Sequence, residues 1–246
     1  MDTTFQHQSL RDKRVVILGG STGLGFATGK AAAQEGAKIT LVSHSLQKLE
    51  IAASQLPSET EIYSVDLSEE SNIRNFFEGY GQIDHLVYTA GENLTLNTIE
   101  QLSLEAAQKF FAIRYWGALA AIKYAKKHIN SGGSITLTGG IASLRPQAGW
   151  GIGASICGAM DAFTRAMAVE LAPIRVNIVS PGLVRTNLWN SMDEADRDGL
   201  FQTVGQALPV GRIGEADEVA QTYLYFMKQA FSTGQSVVVD GGNVLV

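Results

Sequence analysis

Arg14-Val15-Val16-Ile17-Leu18-Gly19-Gly20-Ser21-Thr22-Gly23-Leu24-Gly25 is the stretch that decides the fold. After Arg14 it opens with four consecutive apolar residues, three of them β-branched, the composition of a strand buried on both faces. The glycines that follow permit a tight turn, and the Ala-rich run from Gly25 to Gly36 predicts a helix with a glycine stop. In that order, strand, turn and helix bring backbone N–H groups and the positive end of a helix dipole to one point, where a pyrophosphate binds. A glycine-rich turn alone is a weak signal. Placed directly after a buried strand, in the first such unit, it is a much stronger one.

The alternation continues outward from that unit. Lys38–Val42, Glu61–Val65, His85–Tyr88, Ser134–Leu137, Arg175–Val179 and Ser236–Val239 read as further strands. Helical stretches separate them, around Leu46–Gln55, Glu69–Glu78, Leu104–Asn130, Ala154–Leu171 and Ala216–Lys228. Seven strands with helical crossovers predict an α/β protein with one doubly wound parallel sheet and helices on both faces. No repeat, low-complexity tract or linker divides the chain, so residues 1–246 are expected to form a single domain. Segment 187–210 breaks the rhythm. It sets Asp193-Glu194-Ala195-Asp196-Arg197-Asp198 among Trp189, Met192, Leu200 and Phe201, and it follows a strand's carboxyl end, above the ligand crevice. It is expected to be a substrate lid; the alternative is a helical pair at a subunit contact.

Composition narrows the class. Twenty-four acidic against 19 basic residues give a net charge of −5, without the basic excess of a nucleic-acid binder. Hydrophobic residues at 45% and charged ones at 17% support a large core and exclude disorder. The single cysteine, Cys157, forms no internal disulfide and suits a reducing compartment. The polar opening MDTTFQHQSLRD lacks the apolar core of a signal peptide, and no apolar run approaches ~18 residues. A cytoplasmic protein with no membrane span is the expectation. His7, His44, His85 and His128 match no metal-ligand spacing, so no metal is expected, and His85 and His128 read as surface or strand-edge residues.

The spacing Gly19-x-x-x-Gly23-x-Gly25 resembles that of the short-chain dehydrogenase/reductase family rather than the longer-chain Rossmann enzymes, and the resemblance covers nearly the whole chain. Asp66-Leu67 resembles the family's adenine-contacting Asp. Ala90-Gly91 resembles the end of its Asn-Asn-Ala-Gly motif, with Tyr88 and Thr89 in place of the two asparagines. Leu171-Ala172-Pro173 and Arg175-Val176-Asn177 are similar to the stretch before the sixth strand. Pro181-Gly182-Leu183-Val184-Arg185-Thr186 is similar to the loop that holds the nicotinamide carboxamide, and Gly211-Arg212-Ile213-Gly214 with Asp240-Gly241-Gly242 to the C-terminal signature. The resemblance implies a Rossmann-type fold and oxidoreductase activity. It implies a dinucleotide held by Gly19, Ser21, Thr22, Gly23, Leu24 and Gly25 together with Asp66, Leu67, Ala90, Gly91, Pro181, Gly182, Val184 and Thr186. It also implies a homodimer or homotetramer, to which the terminal Asn243-Val244-Leu245-Val246 is suited.

The end of the second strand selects the cofactor. An acidic residue there binds the ribose 2′-hydroxyl of NAD, whereas its absence leaves room for the 2′-phosphate of NADP. Ser43 stands where the family's Asp would fall and His44 where its Arg often falls; with Ser45 and nearby Lys48 they favour NADP(H) over NAD(H).

The family's proton-transfer residues are absent. Counting outward from Phe163-Thr164-Arg165-Ala166-Met167-Ala168-Val169-Glu170-Leu171, the tyrosine position falls on Gly153, the lysine on Cys157, the serine on Gly140 and the asparagine on Arg114. No tyrosine lies between Tyr124 and Tyr223 and no lysine between Lys127 and Lys228, so no change of register restores Tyr-x-x-x-Lys. Arg114 cannot shuttle protons, but it suits an oxyanion or an anionic ligand, or equally a structural ion pair or carbonyl clamp. Cys157 reads as a packing residue rather than a nucleophile, since no base stands beside it in sequence. Gly140 and Gly153 enlarge the cleft or let Trp150 fill it, and Ser143 is the nearest hydroxyl for a ligand.

Three functions are compatible with this pattern. One is an NADP(H)-dependent oxidoreductase whose substrate, an iminium or a conjugated acceptor, needs little acid catalysis. Another is a cofactor-binding pseudoenzyme, sensor or scaffold subunit. The third is a non-redox lyase, isomerase or cyclase that uses the enlarged cleft.

Overall fold

The computed structural model describes residues 9–57, 59–92, 94 and 96–246; His7 lies outside them. The expected doubly wound sheet is present. In chain order the elements are β1 (Arg14–Leu18), α1 (Gly23–Gln34), β2 (Lys38–Ser43), α2 (Leu46–Ala53), β3 (Glu61–Ser64), α3 (Glu70–Glu78), β4 (Ile83–Tyr88) and α4 (Leu104–Phe111). They continue with α5 (Ala118–Ala125), β5 (Ile129–Thr138), α6 (Gly151–Glu170), β6 (Arg175–Pro181), β7 (Val184–Arg185), α7 (Glu194–Ala207), β8 (Gly214–Glu215), α8 (Ala216–Lys228) and β9 (Ser236–Val239). Seven parallel strands run in the order β3-β2-β1-β4-β5-β6-β9, while β7 and β8 form a separate two-residue ribbon.

The burial of β1 explains the two covered faces. Val16 and Leu18 enter a core shared with α3, α5 and α6, whereas Val15 and Ile17 enter one shared with α1, α2 and α8. All four are fully buried, each worth about 1.5–3 kcal/mol relative to exposure. Strand order reverses between β1 and β4, so a crevice opens at their carboxyl ends, the usual ligand position in such sheets.

Several expectations change. The helix expected over Leu104–Asn130 is interrupted by a π-helical segment, Ala112–Gly117, and ends in a short 3₁₀ turn, Lys126–His128. The next strand starts at Ile129 rather than Ser134, because Ile129 pairs with Ile83 and the chain then bulges before Ser134 pairs with His85. Gly133 permits the bulge: a Cβ there would stand 2.4 Å from the Asp84 carbonyl oxygen. His85 is therefore buried on a central strand, at 3% exposure, its Nδ1 hydrogen-bonded with Ser134 Oγ at 2.8 Å. His128 is partly buried against the Phe77 ring. Among the described residues no helix is long and apolar enough to cross a membrane, and no cluster of metal-ligating side chains forms.

Candidate active site

The turn after β1 is closed by two contacts that only glycine allows. Gly19 adopts φ +94°, and a Cβ on Gly25 would stand 2.3 Å from the Gly19 carbonyl oxygen and 2.4 Å from Thr89 Oγ1. Thr89, in a motif position where the family has Asn, donates to the carbonyls of Leu18 and Gly19 at 3.3 and 3.2 Å and ties β4 to the turn. Thr22 precedes α1 in extended conformation, and its side chain makes no capping hydrogen bond to the helix. The first-turn N–H groups are thus left for an anion.

A cavity of about 640 Å³ opens at this point. Gly19, Ser21, Thr22, Gly23, Leu24, Gly25, Ser43, His44, Asp66, Leu67, Ala90, Gly91, Pro181, Gly182, Val184 and Thr186 all line it. Ser45 is not on the wall. It caps α2 instead, its hydroxyl accepting the Lys48 N–H at 3.4 Å, the role expected of a serine at a helix start. At the β2 end, Ser21 donates to Ser43 Oγ at 3.0 Å, and His44 and Lys48 complete that wall. Asp66 accepts from the hydroxyl and N–H of Ser68 at 2.7 and 2.9 Å, which holds its carboxyl below the usual range.

The opposite end contains Gly140, Gly153, Cys157 and Arg114. Gly153 and Cys157 lie one turn apart on α6. A Cβ on Gly153 would meet only Trp150 Cε3, at 3.9 Å, whereas one on Gly140 would stand 3.2 Å from Cys157 Sγ. Burial pushes the Cys157 thiol up, against the backbone N–H groups of Ala142 and Ser143 and the charge of Arg114. A half-buried thiol pushed up in this way suits packing better than nucleophilic attack. Ser143 leaves the site altogether: the 3₁₀ turn Ile141–Ser143 carries it toward Gly158 of α6, and its hydroxyl is buried without a partner among the described residues.

Arg114 is positioned from beneath by Tyr88. The Tyr88 hydroxyl donates to the Ile113 carbonyl at 2.6 Å, within the π-helical segment. In an α-helix that carbonyl would accept from the N–H of residue 117. Gly117 accommodates the intruding hydroxyl, since a Cβ there would stand 2.5 Å from it. The displaced ladder presents Arg114 to the cavity. Its Nη2 donates to the Glu92 carbonyl, its Nε lies 3.9 Å from Glu92 Oε2, and its Cζ lies 4.7 Å from the Phe110 ring centroid. The carbonyl clamp and the ion pair expected as structural alternatives are thus both present. Glu92 is one of the wall residues that sequence reasoning missed, with Arg145 and Gln147 among the others, although a carboxylate directly after Ala90-Gly91 at a strand end was the available signal. The segment after β6 also reaches the cavity, with Leu188, Trp189, Asn190, Leu200 and Val204 on its wall. Trp189 packs on Phe201 and donates to the Val184 carbonyl at 3.1 Å.

Comparison with known proteins agrees with this architecture. A family model described as enoyl-(acyl carrier protein) reductase matches residues 19–243. The short-chain dehydrogenase/reductase ATR9 of Stachybotrys chlorohalonatus is 34% identical, over 96% of this chain and 99% of that protein. A small-chain dehydrogenase solved in complex with NADPH is 33% identical, with TM-score 0.84 over 96% of this chain and all of the other. The MalC reductase/Diels-Alderase of Malbranchea aurantiaca superposes with TM-score 0.88 at 28% identity, over 96% of this chain and 97% of that one. Matches at this identity and over this length show that the chain belongs to the short-chain dehydrogenase/reductase family.

Proposed function

We propose that the chain is an NADP(H)-dependent oxidoreductase that works without the family's tyrosine and lysine. One observation carries this reading: the uncapped cradle of α1 and the positions Gly140, Gly153, Cys157 and Arg114 share a single cavity. Its described wall contains no tyrosine and, as its one lysine, Lys48 at the far β2 end. The first turn of α1 would hold the pyrophosphate, Asp66 and Leu67 the adenine side, and Pro181, Gly182, Val184 and Thr186 the carboxamide. Ser21, Ser43, His44 and Lys48 suit a 2′-phosphate by hydroxyl and cationic contacts. When bound, the reduced nicotinamide supplies a hydride. The protein's own part is to orient the acceptor, exclude water with segment 187–210 as lid, and offset developing charge with Arg114. Glu92 beside Arg114 weakens the case for an anionic ligand there. Family resemblance supports a homodimer or homotetramer.

Acceptors that can do without the family's tyrosine fit such a site, namely iminium ions and conjugated carbonyls. The first need no proton on hydride addition, and the second carry the developing charge on an oxygen remote from the hydride-accepting carbon. Purified protein at high concentration is expected to oxidise NADPH with members of a panel of both classes. Absence of oxidation with every member would overturn the reading, and cofactor binding without turnover would point to a sensor or scaffold subunit. The likeness to a reductase/Diels-Alderase favours one further reading, a ring-forming reaction in the enlarged cleft. That reading predicts product formation with oxidised cofactor in place of reduced.

A further inference from the structure

Loss of the tyrosine leaves the cavity in need of another proton source. Among its described wall residues, Asp66, Glu92 and Cys157 are the carboxyl and thiol groups. Asp66 is occupied by Ser68, and Cys157 is a half-buried thiol, pushed up by burial, that receives backbone N–H groups. Glu92 differs from both. It sits at the carboxyl end of β4, its side chain is about one-third exposed, and its Oε2 is buried without a hydrogen-bond partner among the described residues. Two ionisable groups face it. Arg114 stands with Nε 3.9 Å from Oε2, too far for a hydrogen bond, and the Tyr88 hydroxyl is committed to the Ile113 carbonyl. Burial raises the Glu92 carboxyl above the usual range, against its own backbone N–H and the Arg114 charge.

We propose that Glu92 delivers the proton that the missing tyrosine would supply, to the oxygen of a conjugated carbonyl acceptor, with Arg114 alongside to hold the carboxylate left behind. This rests on the oxidoreductase reading above, in which the reduced nicotinamide is the two-electron donor. Hydride addition at the acceptor's β carbon shifts the conjugated electrons onto its oxygen. The Glu92 O–H bond then breaks, its electron pair stays on the carboxylate, and an O–H bond forms on the substrate. The resulting enol returns to the carbonyl form in water, and Glu92 recovers a proton from solvent. An iminium acceptor needs no such proton, because hydride addition already yields a neutral amine.

That contrast supplies the test. Glu92→Gln keeps the shape and removes the proton. The variant is expected to lose turnover on a conjugated acceptor by about 10²–10⁴-fold, well beyond its loss on an iminium. Equal losses on both classes would mean that Glu92 only positions Arg114 and would overturn the inference. A second readout needs no turnover. Carbon-13 NMR of glutamate-labelled protein, wild type against Glu92→Gln, should reveal a carboxyl that titrates above the ordinary value of 4.5. Titration at or below that value would also overturn it. Failure of the oxidoreductase reading would show separately, as absence of NADPH oxidation by the wild type with every acceptor, and the carboxyl titration would still decide for or against Glu92.

Discussion

Tyr88→Phe removes a single oxygen, and the structure assigns that oxygen two tasks. Tyr88 is 2% exposed, and its hydroxyl satisfies the Ile113 carbonyl at 2.6 Å inside the π-helical segment. Deleting it takes the tyrosine's hydrogen bond from a part-buried carbonyl, a cost of about 1–3 kcal/mol. In a chain of this length each kcal/mol lowers Tm by about 2–4 °C, so a fall of roughly 2–12 °C is expected. The second task is geometric. If the segment relaxes toward α-helix, the residues beyond the former bulge rotate by about 100° per residue of register, and the Arg114–Glu92 contact is broken. Urea unfolding followed by circular dichroism, together with calorimetric Tm, measures the first effect. Unfolding free energy within about 0.5 kcal/mol of wild type would refute the argument that the tyrosine hydroxyl sustains the π segment.

Gly25→Ala would force a methyl to 2.3 Å from the Gly19 carbonyl, costing about 1–3 kcal/mol or more by overpacking and spoiling the cradle. Lowered Tm and lost NADPH binding are expected, and unaltered affinity would contradict the account of the turn. Burial, with a smaller contribution from Arg175, lowers the His85 pKa from 6.5 to about 4. Between those values the unfolded chain binds the proton and the folded one does not. Stability present above pH 6.5 is therefore lost as pH falls toward 4, by up to about 3 kcal/mol across the window. Urea midpoints at about pH 7 and pH 5 should show the loss, and His85→Asn should flatten it; a flat wild-type profile would count against the burial argument.

How much the sequence discloses depends on how local each cause is. The helix Ala216–Lys228 and the strand Ser236–Val239 form where the pattern places them, the helix with a start signal in which Glu218 accepts the Glu215 N–H at 2.9 Å. The long helix after Leu104 is misread because its interruption comes from Tyr88 on another strand, a contact that no periodicity within 104–130 encodes. His85 looks polar in isolation and becomes a core residue only through the register that sets Ser134 beside it. The tight turn after β1 is legible because its glycine spacing is what the close approach of Gly25 to Gly19 requires. Ser45 and Ser143 were misplaced for the opposite reason: proximity in sequence says nothing about which way a cap or a 3₁₀ turn directs a hydroxyl. The Glu92–Arg114 pair spans 22 residues and needed the folded crevice to appear.

Side-by-side calorimetric titration with NADPH and NADH tests the central claim most directly. The account predicts NADPH binding on the order of micromolar, much weaker NADH binding, and loss of most of the difference in Lys48→Ala. Failure of both dinucleotides to bind, or tighter binding of NADH, would contradict it.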